Sequence, residues 1–209
     1  MAPSVTGEYS EFRKRQIVSA AWGCFADKGY RGTTIRDIAR KLGLSTGIIY
    51  SHFKSKADIL EAVQECGRSN TVEMLAGMAR DKTIREAIRE IIRAVALQMP
   101  VEARRKNARA AIHLWAEAIK KTSYRRMYLK QYKIVERAMS RIVSEGIRRG
   151  ELRRETNPES LAACLLALLS GLQVQSVLND IPNPDRYSED LATFILDGLR
   201  SKDETWGKT

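Results

Sequence analysis

Residues 43–47 read Gly-Leu-Ser-Thr-Gly. This G-x-S-x-G spacing is that of a hydrolase nucleophile elbow, where a sharp strand-to-helix turn holds a serine hydroxyl ready to attack an ester carbonyl. The same residues also suit the turn of a helix-turn-helix, with Ser45 capping a helix that enters the major groove of DNA. An elbow needs a strand before its serine, and the residues before Ser45 are helical in pattern. Ile35, Ile38, Ala39 and Leu42 fall at i, i+3, i+4 and i+7 behind a Thr34/Asp37 capping box, and Gly43 stands where a left-handed C-cap belongs. The favoured chemistry is therefore recognition. A serine esterase built on Ser45 is the enzyme alternative, and a nucleic-acid binder without sequence preference is the other.

The spacing predicts a third short helix from the Ser45 cap to about Phe53. At about 100° per residue, Ile49 and Phe53 share its inner face, Gly47 and Ser51 point away, and Ile48 and Tyr50 flank them. Thr46, Gly47 and Ile48 then meet base edges: Thr46 can hydrogen-bond a base, and Ile48 can touch a thymine methyl. Gly47 costs about 1 kcal/mol inside a helix, yet lets the backbone approach the groove.

The elements that must position this helix are also helical. Ser10 is expected to cap a first helix carrying Ile17, Ala21, Cys24 and Phe25 on one face and ending at Lys28-Gly29, and Ser55 with Asp58 opens a fourth through Ile59, Leu60 and Val63. Further on, Thr83 and Glu86 open a helix bearing Ile84, Ile88, Ile91, Ile92 and Val95, which Pro100 ends or kinks. Ala108, Ile112, Trp115 and Ile119 continue the pattern. A long basic helix then carries Tyr128, Tyr132, Val135 and Met139 to a stop at Gly150. Asn157-Pro158 and Asn183-Pro184 begin two more helices. The first is apolar around most of its circumference and implies packing on both sides, against its own body and a second subunit. Leu191, Phe194, Ile195 and Leu199 form a stripe on the last, and the terminal SKDETWGKT reads as a frayed tail. No stretch alternates as a strand does, so the fold class is all-α, with about nine or ten helices.

The formal charge of +11 in 209 residues makes an anionic partner plausible. Residues 1–60 hold ten Lys and Arg against five Asp and Glu; residues 102–154 hold sixteen against five, most simply a solvated helix surface. Cys24, Cys66 and Cys164 are too scattered for a zinc site or a disulfide framework and read as small buried hydrophobes. No metal or cofactor is implied. The longest apolar run, 161–169, is far short of the roughly 20 residues a membrane span needs, and the start of the chain has no apolar signal-peptide core, so a cytoplasmic location is expected.

Residues 25–60, FADKGYRGTTIRDIARKLGLSTGIIYSHFKSKADIL, resemble the N-terminal domain of TetR-type transcriptional repressors. The likeness rests on Phe25 and Lys28-Gly29-Tyr30, the paired threonines, Ile38-Ala39, Gly43-Leu44-Ser45, Tyr50-x-His52-Phe53 and Lys54-Ser55-Lys56. Residues 61–209 match only in length and helical layout. The resemblance implies a DNA-binding domain over residues 1–56 and a ligand-binding and dimerisation domain over 57–209, with helix four as connector. It also implies a homodimer, paired through helices at about 158–179 and 184–200, that leaves a palindromic double-stranded operator when a small-molecule effector binds. Thr33, Thr34, Tyr50, His52 and Lys56 are then expected on backbone phosphates, beside Ser45, Thr46, Gly47 and Ile48 at the groove. Trp115, Tyr128 and Tyr132 are candidate effector contacts, and His113 with Glu117 reads as a surface pair.

Overall fold

The structure, a computed structural model, describes residues 5–96, 101–179 and 183–199. Among them are nine helices and no strand: α1 (Val5–Gly32), α2 (Ile35–Leu42), α3 (Thr46–His52), α4 (Lys56–Ala79), α5 (Ile84–Ala96), α6 (Val101–Lys120), α7 (Thr122–Arg148), α8 (Pro158–Leu178) and α9 (Pro184–Leu199). They form two compact units: Met1–Ser69 with Lys106–Gln131, and Asn70–Arg105 with Tyr132–Thr209. The unit holding the helix-turn-helix is thus larger than residues 1–56, because it takes in parts of α4, α6 and α7.

In the first unit, α1 begins at Val5 rather than after Ser10, with Glu8 in its first turn where a carboxylate complements the helix dipole. The backbone leaves helical geometry at Gly29 (φ 70, ψ 168), a left-handed conformation that glycine adopts without strain. Ile17, Ala21, Cys24, Phe25, Ile38, Ala39, Ile49, Ile59, Leu60 and Val63 form one buried cluster, joined by Leu114 of α6. The face of α6 that packs here is centred on Ala110, Leu114 and Ala118; Ile119, expected on the buried stripe, is 82% exposed. Trp22 donates its indole N–H to Asn107 Oδ1 at 2.8 Å, and the Tyr30 and Tyr124 hydroxyls lie 3.2 Å apart with their rings edge to face.

The second unit is built on Ile84, Ile88, Ile91 and Ile92 of α5, Met139 and Val143 of α7, Ala162, Leu165 and Leu166 of α8 and Ala192 of α9. Thr83 and Glu86 cap α5 reciprocally, and the Ile84 N–H donates to the Glu151 carboxylate at 2.6 Å. Asn157 caps α8 through the Ser160 N–H, and Asn183 caps α9 through the Arg186 N–H. Leu191 and Ile195 pack on this core, but Phe194, expected beside them, is 80% exposed. Pro100, the side chains of Val95 and Leu199, and the terminal segment lie outside the described residues. No described helix is long and apolar enough to cross a membrane.

Gly146 of α7 meets α5 so closely that a Cβ would lie 2.9 Å from Ile84 Cβ and 3.0 Å from its Cγ1. Alanine gains about 1 kcal/mol of helix propensity, but overpacking costs about 1–3 kcal/mol, and Ile84 cannot rotate its own Cβ away. Gly146→Ala is expected to destabilise the protein by about 1 kcal/mol net, read as a lowered midpoint in urea unfolding; an unchanged or raised midpoint would contradict this packing.

Candidate nucleic-acid interface

The α2–turn–α3 segment is locally determined at each junction. Thr34 (φ −109, ψ 160) accepts from the Asp37 N–H at 3.1 Å, and the Asp37 carboxylate accepts from the Thr34 N–H at 2.9 Å, which closes the capping box. Gly43 (φ 66, ψ 30) is the left-handed C-cap, its N–H reaching the Ala39 and Arg40 carbonyls. Two residues on, Ser45 caps α3, its Oγ 3.4 Å from the Ile48 N–H. Ser45 follows a helix and a tight turn rather than a strand, so the elbow geometry is absent and its hydroxyl serves the helix.

On α3, Ile49 is fully buried and Phe53 packs on the same cluster, which anchors the helix. The other side is open. Ser45, Gly47 and Ser51 are exposed, Ile48 and Tyr50 are 38% and 55% exposed, and Thr46 and His52 are half-buried. A Cβ on Gly47 would meet nothing inside the protein closer than Ser45 Oγ at 3.7 Å. Thr34 is exposed at the start of α2, where free N–H groups and the dipole favour an anion.

Two of the expected phosphate contacts stand elsewhere. Thr33 is fully buried, and its hydroxyl donates to the Cys24 and Gly29 carbonyls at 3.0 and 2.8 Å; it ties the broken end of α1 instead of facing outward. Lys56 donates to the carbonyls of Tyr30 and Thr33 at 2.8 and 2.7 Å and lies 4.4 Å over the Tyr30 ring. Burial draws its pKa down, as desolvation does for any ammonium. Sequence reasoning passed over Arg36, exposed in the first turn of α2. The legible signal was a cation where the helix dipole disfavours one.

Among the effector candidates, Trp115 and Tyr128 are half-buried on α6 and α7, and Tyr132 packs partly against the second core. None of them lines a described cavity. His113 and Glu117 are not a surface pair: Glu117 is buried and accepts from Arg31 at 2.9 Å, while His113 stands beside Gly29. Cys24 is buried, and desolvation pushes its thiol pKa up; Cys66 and Cys164 are exposed, not buried as expected. Among the described residues no three His, Cys, Asp or Glu gather as a metal site would require.

An all-α protein with a capped helix-turn-helix and an outward-facing second helix belongs to the class of helix-turn-helix DNA-binding proteins. Residues 17–63 match the bacterial regulatory proteins of the tetR family, and residues 84–200 match the C-terminal domain of BetI-type transcriptional repressors. The chain belongs to the TetR family of transcriptional regulators. Similar proteins include the helix-turn-helix regulator YfiR of Bacillus subtilis, 26% identical over 85% of this chain and 86% of its own. The regulator TtgR of Pseudomonas putida is 25% identical over 80% and 81%. In fold, a TetR-family regulator from Rhodococcus sp. superposes with TM-score 0.77 at 22% identity, covering 90% of this chain and 98% of that one. A regulator from Saccharomonospora viridis solved in complex with choline does so with TM-score 0.74 at 24% identity, over 90% and 98%. Members of the family bind operator DNA and small-molecule ligands and act as dimers, and the relatives are regulators, not enzymes.

Asp37 joins the capping box to an ion cluster. It accepts from Lys28 at 2.7 Å and from Arg40 at 2.5 Å. The Lys28 hydrogen bond first, then the Thr34 hydroxyl and N–H, hold its carboxyl well below the ordinary carboxylate range. A depressed folded-state pKa contributes stability that is complete above the unfolded value of about 3.9 and lost as pH falls through the folded one. Asp37→Asn is therefore expected to melt below the unmodified protein at pH 7, the gap closing from about pH 4 downward. Parallel melting curves across that range would show that the carboxylate has no such role.

Proposed function

We propose that this regulator reads a near-palindromic operator through α3 and is released from it by a small-molecule effector, acting as a repressor. Residues 1–56 supply the DNA contacts, and residues 57–209 supply effector binding and dimerisation. Thr46, Gly47 and Ile48 face base edges, while Thr34, Arg36, Tyr50 and His52 reach phosphates; Ser45 caps the helix that carries the base contacts. One observation carries the reading. A glycine at position 47 costs helix stability, and a Cβ there would meet nothing closer than Ser45 Oγ at 3.7 Å; on the exposed side of α3 its bare backbone leaves room for another molecule to approach the first turn.

Two such helices must meet successive major grooves about 34–36 Å apart, or a multiple of that, which requires a dimer. We assign the dimer surface to α8 and α9. Leu178 and Phe194 are 68% and 80% exposed, and large apolar groups left in water mark an interaction surface where they cluster. The effector shifts the balance between conformations of different DNA affinity, binding better to the incompetent one. Trp115, Tyr128 and Tyr132 are the aromatics assigned to it. Choline, bound in the Saccharomonospora regulator, is a first probe, because aromatic rings attract quaternary ammonium groups.

Gly47→Leu is expected to weaken operator binding at least tenfold, by footprinting on DNA flanking the protein's own gene, with no loss of melting temperature. Retained affinity would remove α3 from the groove. Separately, Leu178→Asp with Phe194→Asp is expected to give a monomer in sedimentation equilibrium that footprints poorly, whereas an intact dimer would place the interface elsewhere.

A further inference from the structure

The first unit carries an open groove of about 690 Å³ between α1, the end of α2 and the start of the α6 segment. Its walls are mixed in a specific way. Phe12, half-exposed, Ala20, Trp22 and Leu42 give it an apolar side, and Arg15, Lys41 and Lys106 give it cations. The Trp22 indole is held in place by its hydrogen bond to Asn107.

The cations converge over Gly23. Lys41 Nζ lies 2.5 Å and Lys106 Nζ 3.4 Å from the point where a Cβ on Gly23 would stand. The two ammonium groups are therefore no more than 5.9 Å apart, and any side chain at position 23 would displace Lys41. Lys41 also holds the Asp27 carboxylate at 3.6 Å, but three cations still line the groove. Like charges this close repel, and an anion between them relieves the repulsion while its apolar part covers exposed Phe12 and half-buried Trp22.

We propose that this groove is a binding site for an amphipathic carboxylate, its head between Lys41 and Lys106 and its hydrocarbon or aryl part against Phe12, Trp22 and Leu42. The apolar wall sets this occupant apart from a nucleic-acid phosphate, which needs cations alone. The groove shares no lining residue with the candidate DNA contacts, and the proposal does not depend on the operator reading.

The test is a titration of the full-length protein with octanoate, octanamide and inorganic phosphate, followed by tryptophan fluorescence, with operator affinity measured in parallel. Octanoate is expected to give a saturable change that Trp22→Phe abolishes, octanamide to bind at least tenfold more weakly, and phosphate to give no such change. Lys41→Gln with Lys106→Gln is expected to weaken octanoate binding at least tenfold while melting temperature and operator affinity hold. Equal binding of octanoate and octanamide, phosphate alone matching octanoate, or an unaffected double variant would each overturn the proposal. So would a double variant that loses operator affinity with a smaller salt dependence, which would make the groove a DNA-backbone contact.

Discussion

The recognition segment depends on a closure between its two ends. Lys56, at the first turn of α4, donates to the carbonyls of Tyr30 and Thr33, and everything between them, the α2 helix, the turn and α3, is a loop pinned at its base. Charge-assisted hydrogen bonds contribute about 1.5–3 kcal/mol each. The lowered pKa of Lys56 means that part of this is spent on removing the ammonium from water. What the clamp secures is position more than net stability: the carbonyls freed where α1 breaks at Gly29 are satisfied, and α3 is held with Ile49 inward and Gly47 outward. Thr33 works on the same break from inside, through its bonds to Cys24 and Gly29.

That break is also where the first unit gathers its parts of α6 and α7. Arg31 reaches the buried Glu117, Tyr30 meets Tyr124, and His113 stands beside Gly29. The end of α1 thus serves two partners at once, Lys56 on one side and the α6–α7 segment on the other, and both engage Tyr30. A shift of Tyr124 would act on the ring over which the Lys56 ammonium rests, so the clamp is accessible to events in α6 and α7 without passing along α4 alone.

Features set by neighbours a few residues apart were legible in the sequence. The Thr34/Asp37 box, the Gly43 cap, the Ser45 cap and the Asn157 and Asn183 caps all depend on side chains that reach only three residues along the chain. The inner face of α3 was equally plain, because Ile49 and Phe53 lie one helical turn apart. Sequence periodicity failed where burial depends on a distant partner. Ile119 and Phe194 continue apolar stripes by spacing yet face outward, since a stripe says which residues share a side and not how far the partner extends along it. Thr33 and Lys56 carry the right chemistry for phosphate, but backbone carbonyls claim them first: for Lys56 those of Tyr30 and Thr33, far away in sequence, and for Thr33 those of Cys24 and Gly29, brought to it by the break in α1 that periodicity does not register.

Three glycines within helices show how the same local cost can have different causes. Each lowers helix propensity by about 1 kcal/mol against alanine. At Gly146 the missing side chain lets α5 approach, with Ile84 filling the space, so the loss is offset inside the protein. At Gly23 the space is taken by the end of Lys41, whose charge is met only by Asp27 at 3.6 Å while the Lys106 ammonium stands close by, so the offset is incomplete. At Gly47 a Cβ would meet only Ser45 Oγ, at 3.7 Å, and no packing from another element offsets the cost. Vacancy alone does not mark function, since a Cβ on Gly67, Gly77, Gly171 or Gly198 would likewise meet nothing within 4 Å; what sets Gly47 apart is its place on the exposed side of the short helix that follows the turn.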